Sequence, residues 1–273
     1  FVFVFLLTFI GFAAKSGIAP FHAWLPVTYA KAPSDVSALL SSSVANLGIY
    51  GIIRMYSIGV KTEAAHFITN LLLVFGILTV AIAAFSMIKR YNLKKLIAFS
   101  SIENGGILLL GLCAGNVFWV LYHTLAHALT KTLLFFSAGI FRRQYGSSRI
   151  EFMHSFFSLQ PLASVGLIAG KVAIVGMPLF PLAISKLFIL AGLMKVSWVA
   201  VFIVLVCLLI IATSFTLFMM RLLQNESKPI EKFVVPLSMQ IPIIILLIAI
   251  VALGIYIPSG FIELLNEIVT GLK

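Results

Sequence analysis

The chain has 273 residues, of which 62% are apolar and only 10% charged, and its mean hydropathy is +1.16. Soluble domains usually carry about a quarter charged residues, so this composition excludes a soluble globular enzyme and leaves a polytopic membrane protein. The net charge of +11 does not point to nucleic acid, because most of the cations lie in short loops between apolar runs, where they set membrane topology.

A membrane-spanning helix needs about 20 apolar residues. On that measure the sequence predicts an all-α transmembrane protein with eight crossings, near 1–30, 34–57, 66–88, 96–114, 117–141, 159–195, 198–221 and 236–257. The chain opens at Phe1 in the middle of an apolar run. With no charged n-region and no small-residue cleavage site, this start is not a signal peptide, and it reads as the continuation of an upstream part. The first and sixth segments are too long for one plain helix. The first carries Gly17, Pro20 and Pro26, and the sixth carries Gly176, Pro178 and Pro181. Proline removes a backbone donor and clashes with the preceding turn. At membrane depth such breaks are tolerated only where protein or a water-filled cavity satisfies the freed groups, and broken helices point to an ion path.

The cations support this count. Lys31, Lys89, Arg90, Lys94, Lys95, Arg142, Arg143, Arg149, Arg221, Lys228 and Lys232 fall on one side, against Arg54, Lys61, Lys195 and Lys273 on the other. The bias makes the first side cytoplasmic. The longest connections, around Arg142–His154 and Gln224–Lys232, are expected to be solvated loops. Cys113 and Cys207 each lie within an apolar run and read as small buried hydrophobes. Trp24 and Tyr29 read as interfacial anchors, and Asp35 as the N-cap of the second span.

Four lysines, Lys15, Lys131, Lys171 and Lys186, remain inside the spans. A charge at bilayer depth costs roughly 2.5–3.5 kcal/mol even on lenient scales, and intramembrane ionisable groups are functional candidates by default. His123, His127 and Lys131 recur at steps of four, which places them along one helix face with neighbours about 5–6 Å apart at Cβ. That spacing suits proton hopping, and histidine suits the task because its unperturbed pKa is about 6.5. The bland alternative is a polar stripe that bonds neighbouring helices. Lys15 stands before the first break with His22 just beyond Pro20, and Lys171 and Lys186 flank the second break. Glu103, in Ser100-Ser-Ile-Glu103-Asn104, is the one acid well inside a span. It reads either as a counter-charge to a lysine or as a silent protonated group. No histidine and carboxylate set has metal-ligand spacing.

These segments resemble a known family. Lys15–Pro26 followed by Ala32-Pro33-Ser34-Asp35-Val36-Ser37-Ala38-Leu39-Leu40 is similar to the broken seventh helix and the helix after it in antiporter-like subunits. Those subunits occur in respiratory complex I, the Mrp antiporters and the group 4 membrane-bound hydrogenases. Leu93-Lys94-Lys95-Leu96-Ile97-Ala98-Phe99-Ser100-Ser101-Ile102-Glu103-Asn104 resembles the start of that family's tenth helix. His127-Ala-Leu-Thr-Lys131-Thr-Leu-Leu-Phe-Phe-Ser-Ala-Gly139 and Gln160-Pro161-Leu162-Ala163 look most like the F-type subunits of hydrogenase-4.

The resemblance implies two inverted five-helix repeats. Residues 1–57 would end the first, 66–221 would form the second with its broken helix at 159–195, and 236–273 would supply a last span and tail. It implies a mid-membrane proton path through Lys15, the His127/Lys131 pair and Lys186, with His22, Glu103, His123 and Lys171 as further candidates. The eighth helix usually carries a lysine or histidine, where this chain reads Ser41-Ser-Ser-Val-Ala-Asn46. Hydroxyls and an amide hold water but store no charge. The expected function is proton translocation in a redox-driven complex of the hydrogenase or NADH–quinone oxidoreductase type, in a prokaryotic cytoplasmic membrane. No iron–sulfur cysteine set, dinucleotide fingerprint or haem ligand pair is present in the sequence. The chain is therefore expected to hold no cofactor or metal, and redox chemistry to belong to partner membrane and peripheral subunits. The alternatives are an Mrp-type cation/proton antiporter subunit, moving Na⁺, and a structural subunit that no longer conducts.

Overall fold

The computed structural model describes residues 1–224 and 231–272, so Lys228 and Lys273 lie outside the described residues. Among those residues no strand forms, and a single β-bridge, Asn92 to Arg149, ties two loops.

α1 (Val2–Ser16) stops at Gly17, which lies in the left-handed region, and α2 (Trp24–Lys31) resumes after a turn. Gly17, Pro20 and His22 therefore sit in the break. Pro26 does not, which corrects the expectation. It is the third residue of α2, within the first turn, where no helix hydrogen bond is lost. α3 (Ser34–Leu39) passes through a π-turn at Leu40–Val44 into α4 (Ala45–Gly59), giving one continuous span. The cause is local. Ser41 and Ser42 both donate to the Ala38 carbonyl, at 3.1 and 2.7 Å, in competition with the backbone ladder. The Tyr29 hydroxyl donates to the Leu40 carbonyl at 3.0 Å. Tyr29 is thus fully buried and no interfacial anchor, while Trp24 is exposed and donates to the Ala14 carbonyl. Asp35 is no N-cap either: α3 starts at Ser34, no side chain caps it, and Asp35 lies inside the first turn.

α5 (Ala65–Met87) packs closely on α6 (Leu93–Cys113). A Cβ at Gly106 would lie 2.9 Å from the Gly76 carbonyl oxygen, so the small residues let the two backbones meet. α6 is enclosed along its length and is capped by the Asn92 side chain, which accepts from Lys95 N at 3.0 Å. α7 (Val117–Tyr145) is the longest helix among the described residues. A 3-10 turn at Ile150–Phe152 and the single turn α8 (Phe156–Leu159) lead to α9 (Pro161–Val175). The second break follows, with Gly176 at φ 93° and Leu179 at φ 77°. Pro178 lies in this break and Pro181 opens α10 (Pro181–Met194), a position that needs no N–H. α11 (Trp198–Gln224), α12 (Leu237–Ile255) and an amphipathic α13 (Ser259–Leu272) complete the described chain.

Among the described residues, six helices are long and apolar enough to cross a membrane. The two broken pairs, α1–α2 and α9–α10, fall in the first and sixth of the expected segments. Cys113 and Cys207 are buried thiols. Some expected loop cations are not in loops. Arg142 and Arg143 form the last turn of α7, and Lys94 lies in the first turn of α6, fully buried. Lys94 Nζ donates to the Ala32 carbonyl at 2.5 Å, and Arg142 Nη1 donates to the same oxygen at 3.1 Å. Both cations sit at the negative end of α2.

Candidate functional site

Three helices bring most of the charged candidates together. α6 supplies Ser100, Glu103 and Asn104, α7 supplies His123, His127 and Lys131, and α10 supplies Ser185 and Lys186. None is more than 4% exposed.

The second break positions Lys186. Because α10 restarts at Pro181, Lys186 points back across the gap to the end of α9. Its Nζ donates to Glu103 Oε1 at 2.9 Å and to the Ile174 carbonyl at 2.8 Å. Ile174 is in the last turn of α9, where carbonyls lack helix partners. Gly176 leaves room for the lysine stem: a Cβ there would lie 3.1 Å from Lys186 Cδ.

Asn104 organises the other side. Its Nδ2 donates to Glu103 Oε2 at 2.5 Å and to the Ser100 carbonyl at 2.7 Å. With both N–H groups engaged, its Oδ1 faces His123 Nε2 at 3.0 Å. An amide oxygen only accepts, so the neutral ring carries its proton on Nε2, and Nδ1 faces the Ser185 hydroxyl at 2.8 Å. Two turns along α7, Lys131 Nζ donates to Ser100 Oγ at 2.6 Å and to the Ile97 carbonyl at 2.5 Å. His127 lies between, its ring nearly parallel to that of His123 (10°, centroids 6.4 Å apart), and neither of its nitrogens has a hydrogen-bond partner.

A connected chain therefore runs from Lys186 through Glu103, Asn104 and Ser100 to Lys131. Glu103 pairs directly with Lys186 alone, so with all three groups ionised the two lysines exceed the carboxylate by one positive charge. The amide of Asn104 orders this chain but does not relay protons. His127, between His123 and Lys131, keeps both ring nitrogens free of hydrogen bonds.

Three candidates stand apart. Lys15 is exposed on α1, and its neighbour Ser16 turns inward instead, donating to the Ala45 carbonyl at 3.1 Å. His22 is half-buried with Nδ1 unpartnered. Lys171 is half-buried and donates to Thr216 Oγ1 on α11 at 3.3 Å. In the eighth-helix segment, Asn46 Nδ2 donates to the Ser42 carbonyl at 2.6 Å. Sequence reasoning missed the bridging roles of Ser100, Asn104 and Ser185. The available signal was their position, adjacent to Glu103 or Lys186 or one helical turn away. Among the described residues, no three His, Cys, Asp or Glu side chains group as metal ligands.

Residues 1–212 match the family described as NADH:quinone oxidoreductase/Mrp antiporter, TM. The chain belongs to this family. The hydrogenase-4 component F homolog of Methylacidiphilum infernorum (isolate V4) is 29% identical over 272 residues, covering 96% of this chain and 55% of that protein. Hydrogenase-4 component B of Escherichia coli (strain K12) is 34% identical over 196 residues, covering 64% of this chain and 28% of that protein. A chain of the membrane-bound sulfane sulfur reductase, an archaeal respiratory membrane complex, superposes with a TM-score of 0.89 at 27% identity. That match covers 98% of this chain and 55% of the other. The antiporter-family chain thus spans about half the length of the component F homolog. The expected kinship with antiporter-like subunits holds.

Proposed function

We propose that this antiporter-family chain moves protons at mid-membrane within a redox-driven complex of the hydrogenase or NADH–quinone oxidoreductase kind. The observation that carries the reading is the buried Lys186–Glu103 pair beside a helix break, connected through Asn104 and Ser100 to Lys131. Its relatives' names, hydrogenase-4 components among them, supply the redox context. Partner membrane and peripheral subunits would hold the redox centres, in a prokaryotic cytoplasmic membrane. In this reading 1–57 closes a first inverted repeat, 66–221 forms the second and 236–273 follows it.

The mechanism is a charge relay. A charge change in a neighbouring subunit alters the balance at one buried site. Like charges close together do not all stay ionised, so protonation of Lys131 and of Lys186 becomes interdependent, with Glu103 stabilising whichever proton its partner holds. His123 and His127 lie on the same face of α7 as Lys131 and offer intermediate stations. Lys15, His22 and Lys171 would extend the path beyond this central cluster.

The test uses the full-length protein assembled in its complex in proteoliposomes, with redox-driven acidification measured in wild type and Lys131→Ala. Loss of flux with assembly intact supports the relay. Unchanged flux would make the ladder structural and the chain a non-conducting subunit. A cation/proton antiporter would use the same groups, and dependence of flux on Na⁺ in this assay would identify it.

A further inference from the structure

At the cation-rich end of the bundle, a cavity of 610 Å³ opens between α7, the α2–α3 turn and the start of α12. Its rim carries Lys31, Arg142 and Arg143 against one carboxylate, Asp35, while Phe136, Met239 and Pro242 form apolar wall. The two characters are separated along the helix axes. Phe136 lies seven residues before Arg143 on α7, about 10 Å of rise. On α12, Pro242 lies a turn deeper than Ser238. Arg142 is partly engaged by the Ala32 carbonyl. Lys31 and Arg143 are exposed, and among the described residues neither has an ion-pair partner. Pro242 has no N–H, so the Ser238 carbonyl at the cavity wall receives no donor from that position.

We propose that this groove binds one anionic phospholipid of the cytoplasmic leaflet. The phosphate sits between Lys31 and Arg143, a headgroup hydroxyl donates to the Ser238 carbonyl, and an acyl chain lies against Phe136 and Pro242. Charge complementarity selects the anion, since basic pockets between helices on this side suit lipid headgroups. The ordering of charged rim and apolar wall selects a lipid. A free phosphate has no use for the apolar wall. An acidic peptide would leave its backbone groups unsatisfied against Phe136, Met239 and Pro242. The assignment is independent of proton transport.

The test uses the full-length protein in its complex, delipidated and given back phosphatidylglycerol or phosphatidylcholine, with lipid retained by the released subunit counted by native mass spectrometry. Wild type is expected to retain one phosphatidylglycerol and no phosphatidylcholine. Lys31→Gln and Arg143→Gln should each weaken retention roughly fivefold, and together about 25-fold. Lys31→Arg, which keeps the charge, should hold the lipid as wild type does, and excess inorganic phosphate should not displace it. Equal retention of the two lipids, or wild-type retention by the double variant, overturns the proposal. So does displacement by phosphate, which would mark a free-anion site. Capture of a neighbouring polypeptide instead of lipid by a photocrosslinker at Met239 would overturn it as well.

Discussion

Lys186 and Glu103 form the one ion pair among the described residues, 2.9 Å from Nζ to Oε1 with both side chains enclosed by protein. The pair joins α10 to α6 across 83 residues of sequence, and the same ammonium closes the end of α9 at the Ile174 carbonyl. One side chain therefore ties the helix break to the buried carboxylate.

Removing one partner of a buried pair leaves an uncompensated charge, whereas replacing both with apolar groups is often neutral. Lys186→Ala should therefore lower the stability of the assembled subunit by about 3–5 kcal/mol and abolish redox-driven proton flux. The double variant Lys186→Met with Glu103→Met should regain most of the stability and none of the flux. Denaturant unfolding beside the acidification assay separates the two effects. Wild-type flux in assembled Lys186→Ala complex would sink the relay.

Ser100 is the shared partner of the two charged halves. Its hydroxyl accepts from Lys131 and donates to the Ile97 carbonyl at 2.9 Å, and its carbonyl accepts from Asn104. Ser100→Ala leaves the buried ammonium with one partner fewer, at about 1–3 kcal/mol. Proton flux is expected to slow by about tenfold, with assembly preserved. Lys131→Gln, which keeps donors but exchanges no proton at neutral pH, should abolish flux. Equal flux in Ser100→Ala and wild type would remove Ser100 from the chain.

What the sequence revealed and what it hid divides by range. The His123, His127 and Lys131 ladder was legible because steps of four are a local property of a helix. The long apolar helices and both break regions were legible from hydropathy and proline. Pro26 misled because proline is harmless in a first turn. Adjacent helix positions differ by about 100° in facing, so Ser16, one step from Lys15, is the α1 residue that reaches the Ala45 carbonyl. Which lysine Glu103 serves is a tertiary fact with no local period. Lys94 looked like a topology signal because it stands in a basic run, although its ammonium is bound to the end of α2. The serines of 41–46 read as a missing charge, whereas their hydroxyls shape the π-turn.

Lys171 offers the contrasting test. It shares the α9–α10 segment with Lys186, yet it reaches only Thr216 Oγ1, at 3.3 Å, and has no carboxylate partner among the described residues. The residue as a whole is half-buried, and a long cationic side chain can keep its stem on apolar surface and its head in a polar setting. Lys171→Met should leave proton flux within about twofold of wild type and change stability by no more than about 0.5 kcal/mol. A loss of flux as deep as that of Lys186→Ala would place Lys171 in the central relay.

Gly176 connects backbone geometry to the ion pair. Its φ of 93° is strained for any residue with a Cβ, and that Cβ would lie 3.1 Å from Lys186 Cδ. Gly176→Ala should lower stability by about 1–2 kcal/mol through the backbone alone and also push the lysine stem off Glu103, reducing flux. Gly115 separates the two causes. Its φ is +71°, but nothing lies within 4 Å of the Cβ it would gain. Gly115→Ala should therefore show similar destabilisation with proton flux intact. If both variants lose flux equally, strain alone accounts for the defect, and the contact between Gly176 and Lys186 has no separate role.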